Sequence, residues 1–165
     1  MKKLLAVLVL GLLLGGCSSQ RALETVLDVY EPVVAQSRQL ELTLPEEAAL
    51  ATIGGADTGK LYLCDGYCVT VQTMQAGDLD NTLRQATGFS KEYLTLMETQ
   101  VKDVTRYDCA WTALGEEGDQ TCRGVILDDG CYHYVITVMA DAEEAGDLAE
   151  TWRQILNSVT LISTD

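Results

Sequence analysis

From residue 95 to residue 140 the chain predicts three successive strands: about 95–113, with an interruption near Lys102-Asp103, then 120–128, then 131–140. The turn sequences "GEEGD" and "DDG" join them. Strands linked so briefly pair antiparallel, because a parallel neighbour needs a crossover of about a dozen residues or more. The flanking segments extend the sheet and cover it. "KLYLCDGYCVTVQT" reads as a hairpin turning at Asp65-Gly66, and "QLELTLPEE" alternates Leu40, Leu42 and Leu44 in a strand stopped by Pro45. "GDLDNTLRQATG" reads as a short helix with Leu79, Leu83 and Ala86 on one side and Gly88 as its stop. "AGDLAETWRQILNSVTL" places Leu148, Trp152, Ile155 and Val159 in one apolar stripe, a closing helix packed on the sheet. The expected fold class is α+β, a mainly antiparallel sheet flanked by helices.

The other end of the chain makes a different demand. "MKKLLAVLVLGLLLGG" carries Lys2 and Lys3, an apolar run from Leu4 to Leu14 broken only by small Gly11, and Gly15-Gly16 before Cys17. The run is too short for the hydrocarbon core, which takes about 20 apolar residues. It has the n-region, h-region and small-residue site of an export signal. Leu14-Gly15-Gly16-Cys17 resembles the lipobox of bacterial lipoproteins. That resemblance implies cleavage before Cys17 and a diacylglycerol on its thiol, with no other cofactor. A thiol suits the chemistry because it is nucleophilic enough to form a stable thioether. Each buried CH₂ contributes about 0.8 kcal/mol, and two chains anchor where one does so only marginally. The expected organisation is a signal peptide over 1–16, a lipidated tether over 17–22, an N-terminal helix over 23–38 and an α+β domain over 39–165. Leu23, Val26, Leu27, Tyr30, Val33 and Val34 supply the helical spacing, and Pro32 kinks or restarts that helix.

Several pieces of the mature chain together resemble the PsbP-like α/β/α sandwich. They are "LELTLPEE", the Gly77–Gly88 helix, the meander ending "CYHYVITVMA" and the closing "WRQILNSVTL". The resemblance covers 39–162. It implies an accessory or binding protein, and it brings no catalytic motif to this chain.

Charge narrows the partners. The full chain has 11 basic and 25 acidic residues, a net charge of −14. Loss of Lys2 and Lys3 with the signal leaves nine against 25, or −16. Nucleic acid is not the expected partner, since neutralising phosphates takes clustered Lys and Arg. Gly54 to Lys60 spells G-x-x-x-x-G-K, but Leu61 follows where a phosphate loop places the Ser or Thr that holds magnesium. These glycines are read as a turn.

Five cysteines follow Cys17: Cys64, Cys68, Cys109, Cys122 and Cys131. Outside a membrane thiols pair readily, and an odd number leaves one over. If Asp129-Gly130 forms a type I′ turn, Cys122 faces Thr137. Cys131 is then roughly 20 Å away along the ladder, beyond the reach of a bridge. Cys109 and Cys122 are directly opposed if the "GEEGD" loop runs from Leu114 to Glu117. A strict two-residue turn at Asp65-Gly66 pairs Cys64 with Tyr67 and sends Cys68 to the other face; a three-residue loop lets Cys64 and Cys68 bridge. The disulfide candidates are thus Cys109 with Cys122 and Cys64 with Cys68, with Cys131 free. Cys64, Cys68, Cys131 and His133 also offer soft ligands for zinc, at a spacing looser than that of zinc ribbons. Cys131 and His133 would be the pair for a thiol- or metal-dependent hydrolase, without an evident oxyanion donor.

The expectation is a non-enzymatic, lipid-anchored accessory or binding protein on the extracytoplasmic face of a bacterial cell membrane. Its partner would be an unknown envelope protein or a small ligand. A carrier would show an apolar cavity between sheet and helices.

Overall fold

In the computed structural model the described residues are 38–51, 59–115 and 118–162. The expected signal peptide, Cys17, the expected tether and all but the last residue of the expected N-terminal helix lie outside them.

The described strands, in chain order, are β1 (Gln39–Glu41), β2 (Ala49–Ala51), β3 (Gly59–Leu63), β4 (Cys68–Gln75), β5 (Thr95–Val101), β6 (Val104–Leu114), β7 (Asp119–Asp128), β8 (Tyr132–Asp141) and β9 (Thr160–Ile162). Seven of them form one antiparallel sheet in the order β2-β3-β4-β8-β7-β6-β5. The expected meander therefore holds four strands rather than three. The interruption at Lys102-Asp103 is a full reversal that pairs Val101 with Val104, with Lys102 in the left-handed region at φ 58°. A short clasp accompanies this sheet, in which β1 pairs antiparallel with β9. The strand expected through Leu44 stops at Glu41, yet Leu40, Leu42 and Leu44 all pack on the core.

The two faces of the sheet are covered unequally. Helix α1 (Leu79–Thr87) covers one face, where Leu83 packs on Ile126 and Val135. Asp78 caps α1 by accepting the Asp80 N–H, and Gly88 ends it in the left-handed conformation at φ 81°. Helix α2 (Ala145–Ser158) lies over β7 and β8 on the opposite face. Its Trp152, Ile155 and Leu156 meet Val69, Val125, Ile136 and Val138 in the main core. Helices on opposite faces of one antiparallel sheet give the α/β/α layering expected from the sequence.

Register corrects the disulfide candidates. The β6–β7 hairpin closes on Gly115, whose N–H donates to Gly118 O, and Leu114 faces Asp119. The ladder is shifted by two residues from the expected one, so Cys109 faces Gly124 and Cys122 faces Trp111. The two thiols are diagonal neighbours rather than partners. At the first hairpin the Cys64 N–H donates to Tyr67 O and Leu63 faces Cys68, which is the strict two-residue turn with Gly66 at φ 76°. Successive residues of a strand point to opposite faces, so Cys64 and Cys68 do not bridge. All five cysteines among the described residues are free thiols. The β7–β8 turn is also displaced: Asp129 N–H donates to Tyr132 O, and Cys122 faces Met139 instead of Thr137.

Candidate functional site

The chain has one histidine, and among the described residues it sits in a buried polar contact. His133 is placed by β8, faces Asp128 of β7 across the ladder, and is 1% exposed. Its Nε2 lies 3.4 Å from Asp128 Oδ2 and its Nδ1 lies 2.6 Å from Thr82 Oγ1 on α1. A carboxylate only accepts, so in the tautomer with the ring proton on Nε2, toward Asp128, Nδ1 accepts from the Thr82 hydroxyl. Thr82 is itself buried, so the ring joins α1 to the sheet.

Cys131 takes no part in this. It sits exposed in the turn before β8, while both ring nitrogens of His133 are engaged elsewhere. The expected zinc set is divided as well. Cys68 faces Met139 at one end of the β4–β8 ladder, and Met74 faces His133 near the other. Among the described residues no three of His, Cys, Asp and Glu converge on a metal position. Burial pushes the Cys109 thiol up to about 12 and the Cys122 thiol up to about 11, and it raises Cys64 and Cys68 too. These four thiols are protonated at neutral pH, the opposite of what a thiolate nucleophile needs.

A second arrangement lies where the clasp meets the sheet. A cleft of ≈ 250 Å³ is bounded by Arg38, Lys102, Asp103, Arg106, Leu127 and Leu161, among others. Arg38 donates its backbone N–H to the Tyr134 hydroxyl at 2.6 Å, and its guanidinium pairs with Asp103 and, at 3.5 Å, with Asp129. The hydrogen bond from Arg38 holds the Asp103 carboxyl below the usual range. Arg106 forks onto Asp108 at 2.9 and 2.8 Å and also donates to Leu156 O at 3.1 Å. That last bond satisfies a carbonyl in the final turn of α2 that the helix itself cannot. Lys102 borders the same cleft and has no carboxylate within ion-pair distance among the described residues. A larger hollow of ≈ 500 Å³, lined by Gln72, Thr73, Met74, Gln75 and Gln85, contains no titratable group.

Thr82 and Asp128 had no sequence signal as partners of His133, because α1 and β7 are brought to it only by the fold.

The domain has the PsbP-like α+β fold. It is similar to cyanobacterial PsbP (CyanoP) from Synechocystis sp. PCC 6803, with a TM-score of 0.55 and 8% identity over 81% of this chain and 97% of that one. It is also similar to a protein of Bacteroides thetaiotaomicron VPI-5482, with a TM-score of 0.51 and 9% identity over 76% of this chain and 46% of that one. LpqN of Mycobacterium tuberculosis, described as involved in cell envelope biogenesis, gives a TM-score of 0.48 and 12% identity, over 77% of this chain and 85% of that one. No family model and no curated protein sequence matches the chain. At such identities the likeness is one of fold. Among the described residues no helix is long and apolar enough to cross a membrane.

Proposed function

We propose that the chain is a lipid-anchored accessory protein of a bacterial cell envelope, held by a diacylglycerol on Cys17 at the extracytoplasmic face, and that it works by binding rather than catalysis. The observation that carries this reading is the state of His133. The group best suited to acid–base chemistry is buried and holds a helix to a sheet through Thr82 and Asp128. The raised thiols support the same reading. A hydrolase built on Cys131 and His133 would need the ring turned out of that contact.

A small-ligand carrier is the second reading, and the cleft beside Lys102 favours it. At ≈ 250 Å³ it is smaller than the usual ligand pocket of about 300–1,000 Å³, and it would take only a small molecule with one anionic group and an apolar body against Leu127 and Leu161. Its lining mixes Arg38, Asp103 and Arg106 with Leu127 and Leu161, unlike the apolar cavity expected of a carrier.

Two measurements test the leading reading. Cys17→Ala is expected to release the protein from membranes and abolish the mass added by acylation. Normal processing and retention of that variant would refute the anchor. Isothermal titration of the full chain with alkyl carboxylates separates the carrier from the accessory protein: saturable binding lost in Lys102→Ala would favour the carrier.

A further inference from the structure

The sheet has two edges, and they differ. β2 ends one side with three residues. β5 ends the other with seven, "TLMETQV", and among the described residues it has a strand neighbour on one side only, β6. All of β5 but Leu96 is exposed. Exposed apolar side chains also lie along this edge: within β5 Met97 is 61% exposed and Val101 53%, and Tyr93, in the 3-10 turn before the strand, is 72% exposed. Alternate residues of a strand share a face, so Met97 and Val101 form a stripe. A long edge with unpaired backbone groups and an apolar stripe is a template for another strand, which soluble proteins usually blunt.

Charge decides which strand. Glu98 is the central residue of β5 and is exposed on the parity opposite to Met97. A second copy pairing antiparallel about this centre would set Glu98 against Glu98, and like charges directly opposed destabilise a sheet. The net charge of −14 adds repulsion between copies. An incoming strand with a Lys or Arg opposite Glu98 has the reverse effect.

We infer that β5 is a docking edge for an extended segment of another protein, which adds to the sheet as an eighth strand. A basic residue of that segment faces Glu98, and apolar residues on its other parity meet Met97 and Val101. Backbone hydrogen bonds supply affinity in such additions and the alternating side chains supply choice of partner. This inference rests on the accessory reading and names the chemistry of the partner.

The test uses the full chain in detergent micelles and two fluorescein-labelled seven-residue peptides. Both alternate valine with threonine, and they differ only in a central lysine or glutamate. The lysine peptide is expected to bind at least about fivefold more tightly at low salt, the effect of exchanging a favourable cross-strand pair for an unfavourable one. Glu98→Lys, a change at an exposed position, is expected to reverse the order. Hydrogen exchange should show new protection in residues 95–101. Equal binding of both peptides, no reversal, or protection elsewhere would overturn the inference. In cells, a photo-crosslinker replacing Met97 is expected to capture a discrete partner whose crosslinked segment is extended and basic. Crosslinks from other faces of the domain but none from position 97 would overturn the edge and leave the accessory reading standing. Crosslinks from no face would defeat both.

Discussion

Thr82→Val removes a hydroxyl and keeps the shape of the side chain, so it isolates the bond between α1 and β8. Thr82 Oγ1 is 2.6 Å from His133 Nδ1, and both residues are buried, His133 to within 1%. Water cannot replace the lost partner there. An unsatisfied buried acceptor costs about 1–3 kcal/mol, and the net value of the bond itself is nearer 1 kcal/mol. The single variant should therefore lose about 2 kcal/mol, or roughly 8 °C in melting temperature for a domain of this size. The control is the double variant Thr82→Val, His133→Phe. With both polar partners gone, nothing in the contact is left unpaired, and Asp128 keeps the Gly130 N–H at 2.8 Å. Urea denaturation of the four proteins gives the coupling. The double variant should be more stable than the sum of the single effects by about 1–2 kcal/mol. Additivity within about 0.5 kcal/mol would refute the reasoning, because residues without a shared contact behave that way.

Three further outcomes follow from the packing. Gly124→Ala places a Cβ 3.1 Å from Cys109 Sγ and 3.1 Å from the Ile136 carbonyl oxygen; the backbone atom cannot yield, and a loss of about 1–3 kcal/mol in urea denaturation is expected. Trp152 is 1% exposed and its Nε1 has no hydrogen-bond partner among the described residues. Trp152→Phe should therefore cost under about 1.5 kcal/mol by thermal melting, where Trp152→Ala costs about 3–5 kcal/mol. The thiols contribute to the response to alkali, together with the buried hydroxyl of Tyr134. Burial raises Cys109 to about 12 and Cys122 to about 11, while an unfolded thiol ionises near about 8.5. The folded values lie above the unfolded ones, so this stability is complete below about pH 8.5 and is lost as pH rises toward 11 and 12. Urea midpoints should fall above about pH 9, and the Cys109→Ala, Cys122→Ala protein should show a shallower fall.

The sheet and its covering helices were legible because their signals are local. Asp78 and Gly88 bracket α1 by cap chemistry, and the stripe ending in Trp152 and Ile155 fixes the inner side of α2. Register was not legible. The "GEEGD" and "DDG" turns each admit hairpins that differ by a residue or two in closure, and sequence gives no energy difference between them. A shift of two residues was enough to move Cys109 from Cys122 to Gly124. The His133 contact was hidden for another reason: Thr82 lies 51 residues away along the chain and carries no mark of a long-range partner. The same holds for β9, three residues whose only strand partner is at the far end of the described chain.

That clasp has a mechanical consequence. Gln39 faces Ile162 and Glu41 faces Thr160, so tension applied between the first and last described residues opens the clasp from its free end. Its bonds break in succession, as in a zipper, rather than sharing the load. Pulled between those two residues, the domain gives up the Arg38 contacts with Tyr134, Asp103 and Asp129 and then the three-residue seam, with the seven-stranded sheet still whole behind it.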